Sequence, residues 1–411
     1  MIIGSRWRHA DARRLVIFFF LGLALVFLAL GSEFIGLQNP PRAMLQIGIV
    51  ALVVLMAGNI CLEVPLHRFE SISWFYIFLI VLAMSGRYPY FNWTSLGFLF
   101  ILNELVRRLG IKDLTFITII FSVGFLVISL IPIGKILYEQ MAEMGSLRGY
   151  YGTYLLHSEY GALPRSTGVS RTVGVCLVIG SCYLMQNFNF LRHVTKILLC
   201  SFLVILVVLM ILLGSRGSIL CTLVSLGALV FWKFGNVYSY RRIKIKKFLV
   251  LFAVCALGLF YALVEVRYES VTNVFDSSGR IRLWTEISGL FYHGHAPSFA
   301  YLFGLGGLFD RDLLSISLSN AYLYSLTAGG LVGSLALLIF LVSKFLSAFK
   351  ISSAIERSDH SIVAVGQLSG CLLLLFFCVR GLFENSFLVF GVDTIWVLFA
   401  IRLLSKSQPK E

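Results

Sequence analysis

Apolar runs too long for an aqueous core dominate this chain. Stretches of roughly 17 to 25 predominantly apolar residues, the length an α-helix needs to cross bilayer hydrocarbon, recur at about twelve places: 15–37, 43–62, 71–86, 88–105, 114–138, 172–188, 195–213, 217–234, 248–264, 321–343, 362–380 and 386–404. The run at 71–86 is the weakest. Of the 411 residues, 58% are hydrophobic and 13% charged, against about a quarter charged in soluble domains. Lipid must cover so much apolar surface. The expected fold is therefore all-α, a polytopic membrane protein of about twelve transmembrane helices, with residues 1–411 as a single transmembrane domain. The first run, Leu15 to Leu37, exceeds a signal-peptide core and has no small-residue cleavage pattern behind it, so it is expected to be a retained span.

The formal net charge is +14. In a soluble protein that would suggest nucleic acid, but here the basic residues sit in short segments between apolar runs, where they orient spans. No nucleic-acid partner is expected. Placing Arg6, Arg8, Arg13 and Arg14 in the cytoplasm puts about 22 of the 34 Lys and Arg inside and about 12 outside, including the inside run Arg241 to Lys247. Both termini are then cytoplasmic, and two larger loops, 139–171 and 265–320, lie on the far side. The eight cysteines all fall in or beside apolar stretches and behave as small buried hydrophobes, not as a disulfide framework or a metal site.

Arginines on the outer side need a reason, because the positive-inside bias works against them and a cation costs about 2.5 to 3.5 kcal/mol at mid-bilayer. Arg165, Arg171, Arg216, Arg267, Arg280, Arg282, Arg311 and Arg380 all lie there. Arg216 sits in Gly214-Ser215-Arg216-Gly217, either as a snorkelling anchor or as a guanidinium whose flanking glycines let a phosphate approach the backbone. Ser277 or Ser278 can cap a helix from about Gly279, with Arg280 and Trp284 on one face and Arg282 facing Glu286. A cation in a first turn opposes the helix dipole unless an anion binds there. Ser319 and Asn320 open a span whose glycines allow close helix contact, and either residue can simply cap the helix. Glu384 either pairs with Arg380 at i, i+4 or faces the same cavity. Candidates for a general base are Glu384, His293, His295 and Glu159. Tyr154, with Tyr150, Tyr151 and Tyr160, can stack on sugars or sit at the membrane interface. Asp310-Arg311-Asp312 is not expected to hold a metal.

In order along roughly residues 110–400, Arg165-Ser166-Thr167-Gly168, Gly214-Ser215-Arg216-Gly217, Ser278-Gly279-Arg280-Ile281-Arg282-Leu283-Trp284, Phe303-Gly304-Leu305-Gly306-Gly307 and Ser319-Asn320 through Gly333 resemble the landmarks of the O-antigen polymerase and ligase family. The resemblance implies a GT-C-like polytopic fold in the bacterial inner membrane. It also implies a metal-independent, inverting glycosyltransferase without cofactors, acting at the periplasmic face on undecaprenyl-diphosphate-linked oligosaccharides as donor and acceptor. Membrane lipids, a chain-length regulator and a flippase are the further partners it implies. On this reading Arg216, Arg280, Glu384 and Asn320 are catalytic candidates, and Arg165, Arg171, Arg282, Trp284, Ser319 and Tyr154 contact diphosphate or sugar.

The ligase branch carries His-Asn where this chain has Ser319-Asn320, while Gly330 and Gly333 match. Serine is a poor base at neutral pH, which favours a polymerase that joins repeat units over a ligase that transfers glycan to lipid A core. A rival of another class is a polysaccharide-lipid transporter or flippase, which would place charges near the bilayer midplane. The charges within the runs are Glu104, Lys135 and Asp393, mostly near ends.

Overall fold

The computed structural model describes residues 72–85, 99, 102, 103, 106, 107, 109–144, 166–213, 215–234, 289, 298–306, 320–355, 361–382, 384 and 392–404. Among these the chain is helical, without strands, in nine helices: α1 (Ile72–Ser85), α2 (Ile111–Met144), α3 (Ser166–Asn187), α4 (His193–Leu213), α5 (Arg216–Phe234), α6 (Ser298–Phe303), α7 (Ala321–Ala354), α8 (Ile362–Arg380) and α9 (Val392–Leu403). Five are long and apolar enough to cross a membrane: the Ile111–Leu130 part of α2, Gly168–Asn187 of α3, and α4, α7 and α8. The expected runs at 15–37, 43–62 and 248–264, and most of 88–105, lie outside the described residues.

Helices α2, α3 and α7 extend beyond the apolar runs that mark them. α7 continues from the run's end at 343 to Ala354, because Lys344 through Ala354 contains neither Gly nor Pro to stop it. α2 reaches Met144 and α3 begins at Ser166, so both intrude on the stretch 139–171 read as loop. α6 falls within the expected loop 265–320.

α8 is the hub, packed against α2, α3, α5, α7 and α9. Its sequence explains why, since Gly366 and Gly370 form a small-xxx-small pair on which backbones approach closely. A Cβ on Gly370 would lie 2.8 Å from Leu403 Cβ and 3.0 Å from the Ala400 carbonyl of α9. On the other side of α8, α7 carries α1 and α6. Gly329 and Gly333 of α7 let Phe78 of α1 lie against the helix, at 3.1 and 3.3 Å from the Cβ positions they lack. α4 packs on α3 and leaves Val194, Ile197, Leu198, Val204, Ile205 and Val208 exposed, the surface expected of a helix that faces lipid.

Chain direction alternates through the bundle and gives it two polar ends. At one end the C-termini of α3 and α5 meet through Lys233 and Gln186 (3.4 Å), Trp232 donates to the Ser352 carbonyl (2.7 Å), and Arg402 donates to Asn103 (2.9 Å). At the other lie the N-termini of α3, α5, α7 and α9 with the C-terminus of α8. An apolar core separates them, centred on Trp396 with Phe121, Phe125 and Phe377 at centroid distances of 5.4, 5.8 and 6.1 Å.

Candidate functional site

Asp393 opens α9, where a carboxylate suits the positive end of the helix dipole. It bridges two cations. One oxygen lies 2.8 Å from Arg171 Nη1 in the second turn of α3, and the other 3.3 Å from Arg380 Nε at the end of α8. All three residues are buried, at 3% exposure or less. The Arg171 guanidinium also lies over the Trp396 ring, 5.4 Å from its centroid, and the indole N–H donates to Ser122 Oγ at 2.9 Å. Arg171 reaches this position because Gly174, one turn on, keeps α3 close to its neighbours. A Cβ there would meet Thr222 Oγ1 at 2.6 Å and Phe376 Cε2 at 2.9 Å.

Arg380 continues the network into α5. Its Nη1 donates to Ser218 Oγ at 2.9 Å, and Ser218 also accepts from Ser215 Oγ at 3.2 Å. Ser215 precedes the first helical residue, and its carbonyl accepts from Ile219 N–H at 3.1 Å. Helix α5, which opens on Arg216 of the Gly-Ser-Arg-Gly landmark, thus begins directly beside the buried ion cluster.

The Ser319-Asn320 landmark reaches the same end. Asn320 caps α7, its side-chain oxygen accepting from the N–H groups of Tyr322 (3.0 Å) and Leu323 (2.9 Å). Its Nδ2 donates to the Leu382 carbonyl (3.3 Å), and Ala321 N–H donates to the Gly381 carbonyl (2.7 Å). Tyr322 adds a hydroxyl bond to the Cys378 carbonyl at 2.7 Å. Asn320 is therefore engaged as a bracket between α7 and α8.

The two glycine landmarks interlock. Gly330 has φ 59° and ψ −162° inside α7, a conformation essentially restricted to glycine. The break interrupts the helical ladder, and the carbonyls of Thr327 and Ala328 accept from Leu305 and Gly306 N–H, both at 2.9 Å. Gly304 and Gly306 also have positive φ, 78° and 85°. A Cβ on Gly304 would collide with the Ala328 carbonyl, and one on Gly330 would lie 2.5 Å from Gly304 N. These backbone bonds lie about 10 Å along α7 from its cap, at 1.5 Å per residue, where buried backbone must find protein partners.

Of the residues singled out from the sequence, the structure brings together Arg171, Arg380, Asn320 and the backbone of Arg216. Glu384 is half-buried, its N–H donating to the Arg380 carbonyl at 2.9 Å. Of the two readings of Glu384, partner of Arg380 or carboxylate facing the same cavity, the first gives way to Arg380–Asp393, because α8 ends at Arg380 and its guanidinium turns inward to Asp393 and Ser218. Arg171, expected at the end of the loop 139–171, lies within α3, where it is held in the ion cluster. The Arg216 side chain, Arg165, Arg280, Arg282, Trp284, Ser319, Tyr154, Glu159, His293 and His295 lie outside the described residues. Sequence reasoning had marked Asp393 only as a charge near a span end, and Ser218 carried no signal. Among the described residues no group of His, Cys, Asp and Glu is arranged to hold a metal. No protein-family model and no curated protein matches this chain.

Proposed function

We propose that this protein is a polysaccharide polymerase of the O-antigen type, with about twelve spans in the bacterial inner membrane, joining undecaprenyl-diphosphate-linked repeat units at the periplasmic face by inverting, metal-independent transfer. One observation carries this reading: landmarks scattered along the sequence share one end of the helix bundle. There the starts of α3 and α5 and the end of α8 meet at Asp393, which holds Arg171 and Arg380, and the start of α7 is bonded to the same end of α8. Helix N-termini gathered in this way favour anions.

On the periplasmic side the activated sugar available is a lipid diphosphate. As its glycosidic bond breaks, charge grows on the leaving diphosphate, and preorganised cations stabilise that state more than the ground state. Arg216 and Arg280 are assigned this role, with Arg165 as a second-rank candidate. Arg171 and Arg380 supply the field behind the site, not direct contact, since both are buried. An acceptor hydroxyl attacks from the opposite face, and Glu384, the base candidate among the described residues, follows the end of α8 at this end of the bundle.

The test is incubation of the purified chain with a lipid-diphosphate-linked repeat unit, without nucleotide sugar and with chelator present. A ladder of lengthening glycans is expected, and it should shrink to single units in Arg216→Ala and Arg280→Ala at normal protein levels. Normal ladders from both variants would remove the case for their role. Transfer only onto a lipid A core acceptor would identify a ligase instead.

A further inference from the structure

We infer that Ser218 is a positioning residue for this chemistry, tying the buried Arg171–Asp393–Arg380 cluster to the first turn of α5 and thereby fixing the backbone that carries Arg216. The inference rests on the function proposed above. Glycines flank the Ser215-Arg216 pair in the sequence, and glycine leaves backbone direction undetermined by local preference. Something else must hold this turn. A hydrogen-bonded path from α5's first turn to the ion cluster runs Ser215 Oγ to Ser218 Oγ at 3.2 Å, then Arg380 Nη1 to Ser218 Oγ at 2.9 Å.

Beyond Arg380 the path divides at Asp393, whose two oxygens hold Arg380 and Arg171. Ser218 is thus the hydroxyl through which the first turn of α5 joins the ion network of α3, α8 and α9. Ser218 is fully buried, and Ser215 is 7% exposed, so water does not substitute readily for either partner. A hydrogen bond to a charged donor in such surroundings is among the stronger ones. Misplacing a group that stabilises a transition state by about 1 Å costs on the order of a hundredfold in rate, so a link of this kind has a kinetic signature.

A control is available within the same helix. Ser225 is equally buried and donates to the Leu372 carbonyl of α8 at 3.4 Å, deeper in the bundle and away from the cluster. Ser218→Ala, Ser218→Thr and Ser225→Ala are compared in the full-length chain with the lipid-diphosphate-linked repeat unit as substrate. Ser218→Ala is expected to lower kcat about tenfold or more with KM within about twofold, the pattern of an interaction made in the transition state. Ser218→Thr, which restores the acceptor, recovers most of the rate, and Ser225→Ala leaves kcat unchanged. Equal kcat loss in Ser218→Ala and Ser225→Ala, wild-type kcat in Ser218→Ala, or no recovery by Ser218→Thr overturns the inference. A wild-type chain that makes no ladder instead overturns the proposed function on which it rests.

Discussion

A carboxylate buried between two guanidinium groups is costly to remove, because the cations left behind remain in a low-dielectric interior. Asp393→Ala is expected to destabilise the protein by about 3–5 kcal/mol, visible as reduced membrane levels and a lower melting temperature in detergent. Glu384→Gln, at a half-exposed position past the end of α8, should stay within about 0.5 kcal/mol of wild type. Equal losses in the two would show that the ion cluster does not hold α3, α8 and α9 together. At this scale the sequence indicated which arginines need an explanation but not what they pair with. The i, i+4 rule offered Glu384 to Arg380, whereas the acceptor Ser218 lies 162 positions away. Local spacing carries no information about such partners. The burial that makes Arg171 a structural cation was equally invisible, since it depends on Gly174 admitting α5 and α8.

Helix packing here depends on a few glycines with distinct tasks. Gly330→Ala combines a backbone conformation that L-residues rarely adopt with a collision against Leu302 and Gly304. It is expected to cost upwards of about 3 kcal/mol, read as a lower melting temperature and faster proteolysis near 298–306. Gly333→Ala, at ordinary helical angles and 3.3 Å from Phe78, should cost about 1 kcal/mol or less. Similar losses at both positions would argue against the kink. The glycines of α7 were legible as sites of close helix contact, and Gly329 and Gly333 have that task. That Gly330 breaks the helix, and that Phe303-Gly304-Leu305-Gly306 docks on the break, required the backbone of both segments. Gly366 and Gly370 of α8 carried a readable small-xxx-small signal that the hydropathy pattern obscured.

Across the whole molecule, alternating helix directions place the Asp393 cluster and the Arg402–Lys233 layer at opposite ends of one apolar core. With the proposed orientation, a cysteine at exposed Leu382 should react with a membrane-impermeant maleimide added outside intact spheroplasts. One at exposed Phe190, at the other end, should react only after permeabilisation. Labelling of both from outside would contradict a membrane-spanning arrangement of this bundle. The sequence by itself determined that the chain is helical and belongs in lipid, because apolar run length and charge depletion are local quantities that a bilayer reads directly. It also marked most of the landmarks that meet at one end. Only the tertiary structure decided which helix stands at the centre, which carboxylate neutralises which arginine, and which glycine bends its helix. Those outcomes depend on contacts between residues far apart in the chain, and a contact of that kind exists only once the helices have packed.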